Sequence, residues 1–140
     1  GFPTMLGKFP TMNGSDNVCI FRVEEMHLIA AETSLRAGNT ADALTYLNNI
    51  PAIRGLGANY YASATLENIL LERRKEFAFE GLRFHDLSRM GMDMPLIDGL
   101  KQLNDDLTGT PPSYGSYRYA YPIALSERNA NPNMVQNYGY

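Results

Sequence analysis

Glu76 and Glu80 stand four residues apart in the stretch ERRKEFAFEGLRFHDLSRMG, residues 72–91. On a helix that spacing puts both carboxylates on one face, and paired carboxylates are what glycoside hydrolysis needs. The neighbours argue against it. Arg73 lies within a turn of Glu76, and Arg83 within a turn of Glu80. A cation so close keeps a carboxylate ionised instead of raising its pKa to that of a general acid. Asp86 and Arg89 make a third such pair. Arg73, Glu76, Glu80, Arg83, Asp86 and Arg89 are therefore expected to form a structural charge network, with no catalytic residue among them.

His85 beside Asp86, with His27 far upstream, invites a metal or triad reading. No His-Glu-x-x-His, nucleophile elbow, P-loop or dinucleotide fingerprint accompanies them. Structural histidines are expected, with no metal and no cofactor. Tyr117, Tyr119 and Tyr121 alternate with Arg118 and Ala120. Alternation predicts one strand face, limited to an extended or edge segment by Pro122. Such a row can stack on sugar rings or pack across strands, so these tyrosines are the candidate ligand-binding residues.

The rest of the composition narrows the class. A chain of 140 residues, 44% hydrophobic, suffices for one domain. Its net charge of -3 lacks the basic excess of a nucleic-acid footprint. Cys19 is the single cysteine, which excludes an internal disulfide and a Cys-based zinc site. No run of about eighteen apolar residues suggests a membrane span.

Several elements must position these side chains. Residues 1–19, with Pro3, Gly7, Pro10 and Gly14, predict an extended lead-in. Val23, Met26, Ile29 or Ala30, and Thr33 recur at helical spacing between about 20 and 37. Gly38 suits a helix end, and Asn39 or Thr40 an N-cap. Ala43, Leu44, Leu47 and Ile50 stripe the next helix, which is expected to kink or end at Pro51. So short a loop predicts an antiparallel hairpin over residues 20–54, of the tetratricopeptide-like kind. Thr65 is a suitable N-cap for a signature helix over residues 65–90, whose apolar line is Leu66, Ile69, Leu70, Phe77, Phe84 and Leu87. Arg73 and Glu80 fall close to that line, so some charge must lie at or inside the core. Residues 92–140 predict irregular structure, with a short helix near 95–103 and a turn capped by Ser126 and ended by Asn131-Pro132-Asn133. The fold class is mainly α: a helical hairpin, a third long helix and a partly extended C-terminal segment.

Three separated stretches resemble, in order, the C-terminal region of the SusD/RagB family of nutrient-binding outer-membrane lipoproteins of Bacteroidetes. FRVEEMHLIAAETSLRAGNTADALTYLNNI is similar to the family's tetratricopeptide-type hairpin. ERRKEFAFEGLRFHDLSRMG is similar to its charged signature, and YPIALSERNANPNMVQNYGY to its closing P-I-P-x-S-E-x-x-x-N-P-x-x-x-Q-N-P-G-Y. Pro51 and Ile53 stand where the family usually has arginines, Ala124 replaces the second proline of P-I-P, and Tyr138 replaces the proline before the final Gly-Tyr.

The resemblance implies a fragment of an α/α superhelix and a non-catalytic role. The whole protein would capture oligosaccharide or polysaccharide at the cell surface for a TonB-dependent outer-membrane transporter, as in polysaccharide utilisation. A lipid anchor and most glycan contacts would lie upstream, with this segment itself soluble. No family ligand residue maps onto these residues. The alternative is a helical-repeat protein-protein interaction module that binds no sugar.

Overall fold

The expected hairpin is formed by α1, Val23–Arg36, and α2, Thr40–Ile53. Both belong to a computed structural model that describes residue 8, residues 15–95 and residues 112–140. Most of the lead-in and the helix expected near 95–103 lie outside the described residues. Two compact units divide the chain, residues 1–76 and 77–140.

In the first unit, α1 closes on Gly38, whose φ of 82° suits a residue without a Cβ. The Gly38 N–H donates to Leu35 O and the Asn39 N–H to Ser34 O, which satisfies carbonyls that a helix end otherwise leaves open. Asn39 then caps α2 by accepting from the Asp42 N–H at 3.3 Å.

The buried face of α1 is not the expected one. Leu28, Ala31 and Glu32 are buried, whereas Val23, Met26 and Ile29 are 64%, 47% and 43% exposed. α1 carries two apolar faces, and the inward one is disguised by Glu32, whose carboxylate is satisfied by Arg36 at 2.9 Å. On α2 the expected stripe holds at Ala43, Leu47 and Ile50, which are fully buried, while Leu44 is half-buried.

Pro51 does not end α2, which runs on to Ile53. A proline removes the bond to the carbonyl four residues back, but its ring is fully buried here and only the last turn follows it. That turn is closed by Gly55 N–H to Ala52 O and Leu56 N–H to Pro51 O.

α3, Leu66–Glu76, packs against α1 and more lightly against α2. Thr65 caps it, its hydroxyl accepting from the Asn68 N–H at 3.1 Å. Its inward stripe is Ile69, Glu72, Arg73 and Glu76. The spacing is that of an amphipathic helix, but three of the four positions are charged.

The stretch expected as one signature helix over 65–90 holds two. α3 stops at Glu76 and α4 spans Leu82–Arg89. The break is made by Phe79 and Gly81, with φ of 68° and 78°, and by a turn in which the Glu80 N–H donates to Phe77 O. Left-handed residues cannot continue a right-handed helix.

The second unit continues through a 3₁₀ turn at Tyr117–Tyr119 and a short α5, Leu125–Ala130. The tyrosine segment is therefore not a strand, and no strand occurs among the described residues. Ser126 is not the cap of α5; Ala124 holds that position without a side-chain bond, and Asn131 ends the helix as expected.

Candidate functional site

Glu76 is the most heavily engaged residue of the charged signature. Its carboxylate accepts from Arg22 at 2.9 Å and from Arg54 at 2.5 Å and 3.1 Å. Lys8 and Arg22 donate to its backbone carbonyl. Glu24 joins the same cations, 3.0 Å from Arg54 and 3.5 Å from Arg22. Burial by itself would raise the Glu76 carboxyl, but the hydrogen bonds from Arg54 and Arg22 outweigh it and hold it below the ordinary carboxylate range. A carboxylate so fixed is not a proton donor at neutral pH.

One turn earlier, Glu72 accepts from the Tyr61 hydroxyl at 2.6 Å and pairs with Lys75 at 2.5 Å. Lys75 also donates to the Tyr61 hydroxyl at 2.9 Å and lies over the rings of Tyr60 and Tyr61. Burial opposes its charge, yet Glu72 and Tyr61 raise its pKa above the ordinary lysine value. Burial, with the bond to Glu72, likewise raises that of Tyr61. Asn48 fixes the backbone of the same tyrosine, donating to Tyr61 O at 3.0 Å and accepting from Tyr61 N–H at 2.8 Å.

The other expected pairs divide. Asp86 and Arg89 meet at 2.9 Å, as the three-residue spacing predicts. Arg73 is buried and lies 3.7 Å from Glu25, while Glu76 takes Arg22 and Arg54 instead of Arg73. Glu80 and Arg83 form no pair; the Arg83 Nε is buried without a hydrogen-bond partner among the described residues. Spacing along a helix identified the local pair. It missed Arg22, Glu24 and Arg54, which come from the two ends of the hairpin; the only signal for Arg54 was the family's habit of arginines after that hairpin.

The three candidate tyrosines do not share a face. A 3₁₀ turn has three residues per turn, so Tyr117 and Tyr119 point apart. Tyr117 packs edge-on to Tyr140 at 5.2 Å. Tyr119 lies between Phe84 at 5.7 Å and Tyr114 at 5.6 Å, its hydroxyl donating to Met92 O. Tyr121 is 80% exposed and touches Phe84 only loosely, at 6.1 Å. Tyr117 and Tyr119 thus pack against other rings, and Tyr121 is the most exposed of the three.

The closing motif fixes the backbone beneath Tyr121. The Gln136 amide accepts from Ile123 N–H at 2.8 Å and donates to Ile123 O at 3.1 Å. Asn137 donates to Tyr121 O at 2.6 Å, and the Tyr140 hydroxyl to Ala120 O at 2.9 Å. Side-chain amides here do what a neighbouring strand would do. Among the described residues no group of three or more His, Cys, Asp or Glu is placed to hold a metal ion, and no helix is long and apolar enough to cross a membrane.

A charged helix stapled to a hairpin, followed by an amide-clamped tail, matches known proteins closely enough to place the chain. Residues 8–140 match the SusD family, and the chain belongs to it. It is 34% identical over 128 residues to the starch-binding protein SusD of Bacteroides thetaiotaomicron, covering 89% of this chain and 22% of that protein. A SusD-like protein of Formosa agariphila is 28% identical over 138 residues, covering 91% and 25%. Among solved structures, a SusD superfamily protein of Bacteroides thetaiotaomicron superposes with a TM-score of 0.68 at 35% identity, covering 94% of this chain and 31% of that one. Another from Bacteroides vulgatus gives 0.66 at 33%, covering 86% and 27%. The chain thus spans about a quarter of the length of the curated relatives it matches. SusD proteins are binding proteins and not catalysts.

Proposed function

We propose that the chain is the C-terminal part of a glycan-capture protein that works at the outer membrane. The whole protein binds oligosaccharide at the cell surface, without cleaving it, and delivers it to a TonB-dependent transporter; a lipid anchor upstream of this chain holds it there. Family membership over residues 8–140 carries this reading, and the starch-binding relative makes an α-glucan the first ligand to try. The paired carboxylates that might have suggested hydrolysis fit the same role, since Glu76 is locked between two guanidiniums. Within the chain, Tyr121 is the side chain we assign to a sugar ring: exposed, amphipathic and set on a clamped backbone. The test is calorimetric titration of the whole protein against a panel of polysaccharides beginning with starch, with reducing ends assayed in parallel. Binding without new reducing ends is expected. Release of reducing sugar, or binding to none of the panel, would overturn the reading.

One observation favours the second reading, an interaction module. Val23, Met26 and Ile29 form an exposed apolar stripe along α1, the kind of surface helical repeats present to proteins. If that reading is right, a protein partner is retained on the immobilised chain while every polysaccharide passes through.

A further inference from the structure

A cavity of about 320 Å³ lies in the first unit, on the face of α2 that continues past the core. Leu44, Thr45, Asn48, Asn49 and Ala52 line one side, and Ala58 and Asn59 the other. The first five follow the helical repeat, so they form one strip of α2. The last two come from the loop that Gly55 and Gly57 turn back across that strip. The volume is at the small end of the roughly 300–1,000 Å³ usual for ligand pockets.

The loop is not free to drift. Asn48 is 7% exposed and spends both ends of its amide on the backbone of Tyr61, just after Asn59. Tyr61 is held in turn by Glu72 and Lys75. The far wall of the cavity is thereby preformed, which lowers the ordering cost of binding.

The lining decides the ligand class. None of its residues is charged. Without a carboxylate the cavity is a poor site for a hard cation, which takes charged oxygen ligands. Its polar atoms offer both acceptors and donors. The Thr45 hydroxyl already donates to Ala41 O at 3.0 Å, leaving its oxygen to accept. The Asn49 amide nitrogen lies 3.4 Å from His27 Nδ1, leaving its carbonyl oxygen and one N–H. Asn59 adds one amide with both capacities. An anion would find no cationic side chain. A neutral molecule rich in hydroxyls fits: its O–H groups meet these oxygens, and its C–H face meets Leu44, Ala52 and Ala58.

We propose that this cavity is a sugar subsite, taking a single pyranose ring of a neutral glycan, separate from Tyr121. The proposal rests on the glycan-capture reading and places part of that capture on α2. Ala52 and Asn59 offer substitutions that spare the Asn48 staple. Leucine at position 52 keeps helix propensity while filling the cavity, and alanine at 59 removes one amide.

The test is a titration of the full 140-residue chain, ¹⁵N-labelled, with glucose, maltose and maltotriose, followed through asparagine side-chain amide resonances by NMR. Saturable shifts at Asn49 and Asn59 are expected. A52L should abolish them, and N59A should weaken binding about fivefold, the worth of one hydrogen bond. Unchanged backbone spectra elsewhere in both variants establish that they are folded. If maltotriose shifts only residues around Tyr121, or A52L binds as tightly as the parent, the subsite is wrong while glycan capture stands. If no resonance moves with any of the three sugars, the subsite is overturned as well, and the polysaccharide titration then decides the wider reading separately.

Discussion

The first unit keeps its shape mainly with ions; the second, beside its Asp86–Arg89 pair, relies on amides and rings. In residues 23–76, Glu72, Arg73 and Glu76 occupy the inward stripe of α3 beside fully buried Leu28, Leu47, Ile50 and Ile69. In residues 77–140 only Phe77, Asp86 and Leu87 are buried among the described residues. There, Gln136, Asn137 and Tyr140 hold neighbouring backbone by neutral hydrogen bonds. The contrast is one of failure modes. A buried carboxylate surrounded by guanidiniums fails all at once when one partner goes, because the remaining charges are left in a poor solvent. A row of neutral bonds, each worth about 1 kcal/mol, fails locally and by steps, and no change of protonation reaches it.

The sharpest way to break the first unit is Glu76→Gln, which removes the buried carboxylate between Arg22 and Arg54 and leaves these cations to Glu24. A loss on the order of 2 kcal/mol is expected, less than for a fully buried pair because Arg54 is 45% exposed, and still a sizeable share of the roughly 5–15 kcal/mol that holds a domain together. Its pH dependence is the signature. The folded-state pKa of Glu76 is depressed, so its contribution is complete above the unfolded value of about 4.3 and is lost as pH falls through the lower folded value. The parent should therefore lose stability below about pH 4.3, and the variant should show a shallower acid limb, in urea melts repeated across pH. An identical acid limb in both would mean that Glu76 does not anchor the unit.

Gly139→Ala is the strongest local disruption of the second unit. Gly139 has φ of 94°, and an added Cβ would overlap the ring of Tyr117. About 2 kcal/mol is expected from strain and displacement together. Hydrogen exchange should rise at Ala120 and Tyr119, whose amides donate within the 3₁₀ turn, while α1 to α3 keep their protection. Gln136→Ala comes next, at about 1–2 kcal/mol for the loss of both bonds to Ile123 and the one from the Asn137 N–H. It should expose the Ile123 amide to exchange with little effect on α5, and it should not alter the acid limb.

How far the sequence reveals each unit follows from the same contrast. The hairpin, its Gly38 end, the Asn39 and Thr65 caps and the presence of charge in the core are local matters, set by residues within one turn. The partners of Glu76 are not: Arg22 and Arg54 lie 54 and 22 residues away, and a spacing rule of three or four offers Arg73 in their place. The phase of α1 misleads because its inward face includes Glu32 while Val23, Met26 and Ile29 lie outside. For the tyrosines, alternation looks the same in a strand and in an irregular segment. What stands in place of the strand is a 3₁₀ turn closed by Tyr119 N–H to Ser116 O and Ala120 N–H to Tyr117 O, followed by the Gln136 clamp on Ile123 from thirteen residues downstream, which no period of two encodes. The family motif carried that information without explaining it; the two bonds to Ile123 explain why a glutamine is wanted there.

Tyr121→Ala should have the smallest effect on stability and the most informative one on function. The side chain is 80% exposed, so truncation removes little buried surface, and a change within about 0.5 kcal/mol is expected. The Asn137 bond goes to its backbone carbonyl and survives the substitution. Tyr119→Ala is the control from the same segment, since that ring packs between Phe84 and Tyr114 and its loss should lower the melting temperature of the unit. A ring that stacks on sugar should, when removed from Tyr121, weaken polysaccharide binding roughly tenfold, the weight of about 1.4 kcal/mol, with the melting curve unmoved. If instead binding survives Tyr121→Ala and falls only with Tyr119→Ala, in proportion to stability, then the tyrosines are packing throughout and glycan contact in this chain belongs to the α2 cavity or to no part of it.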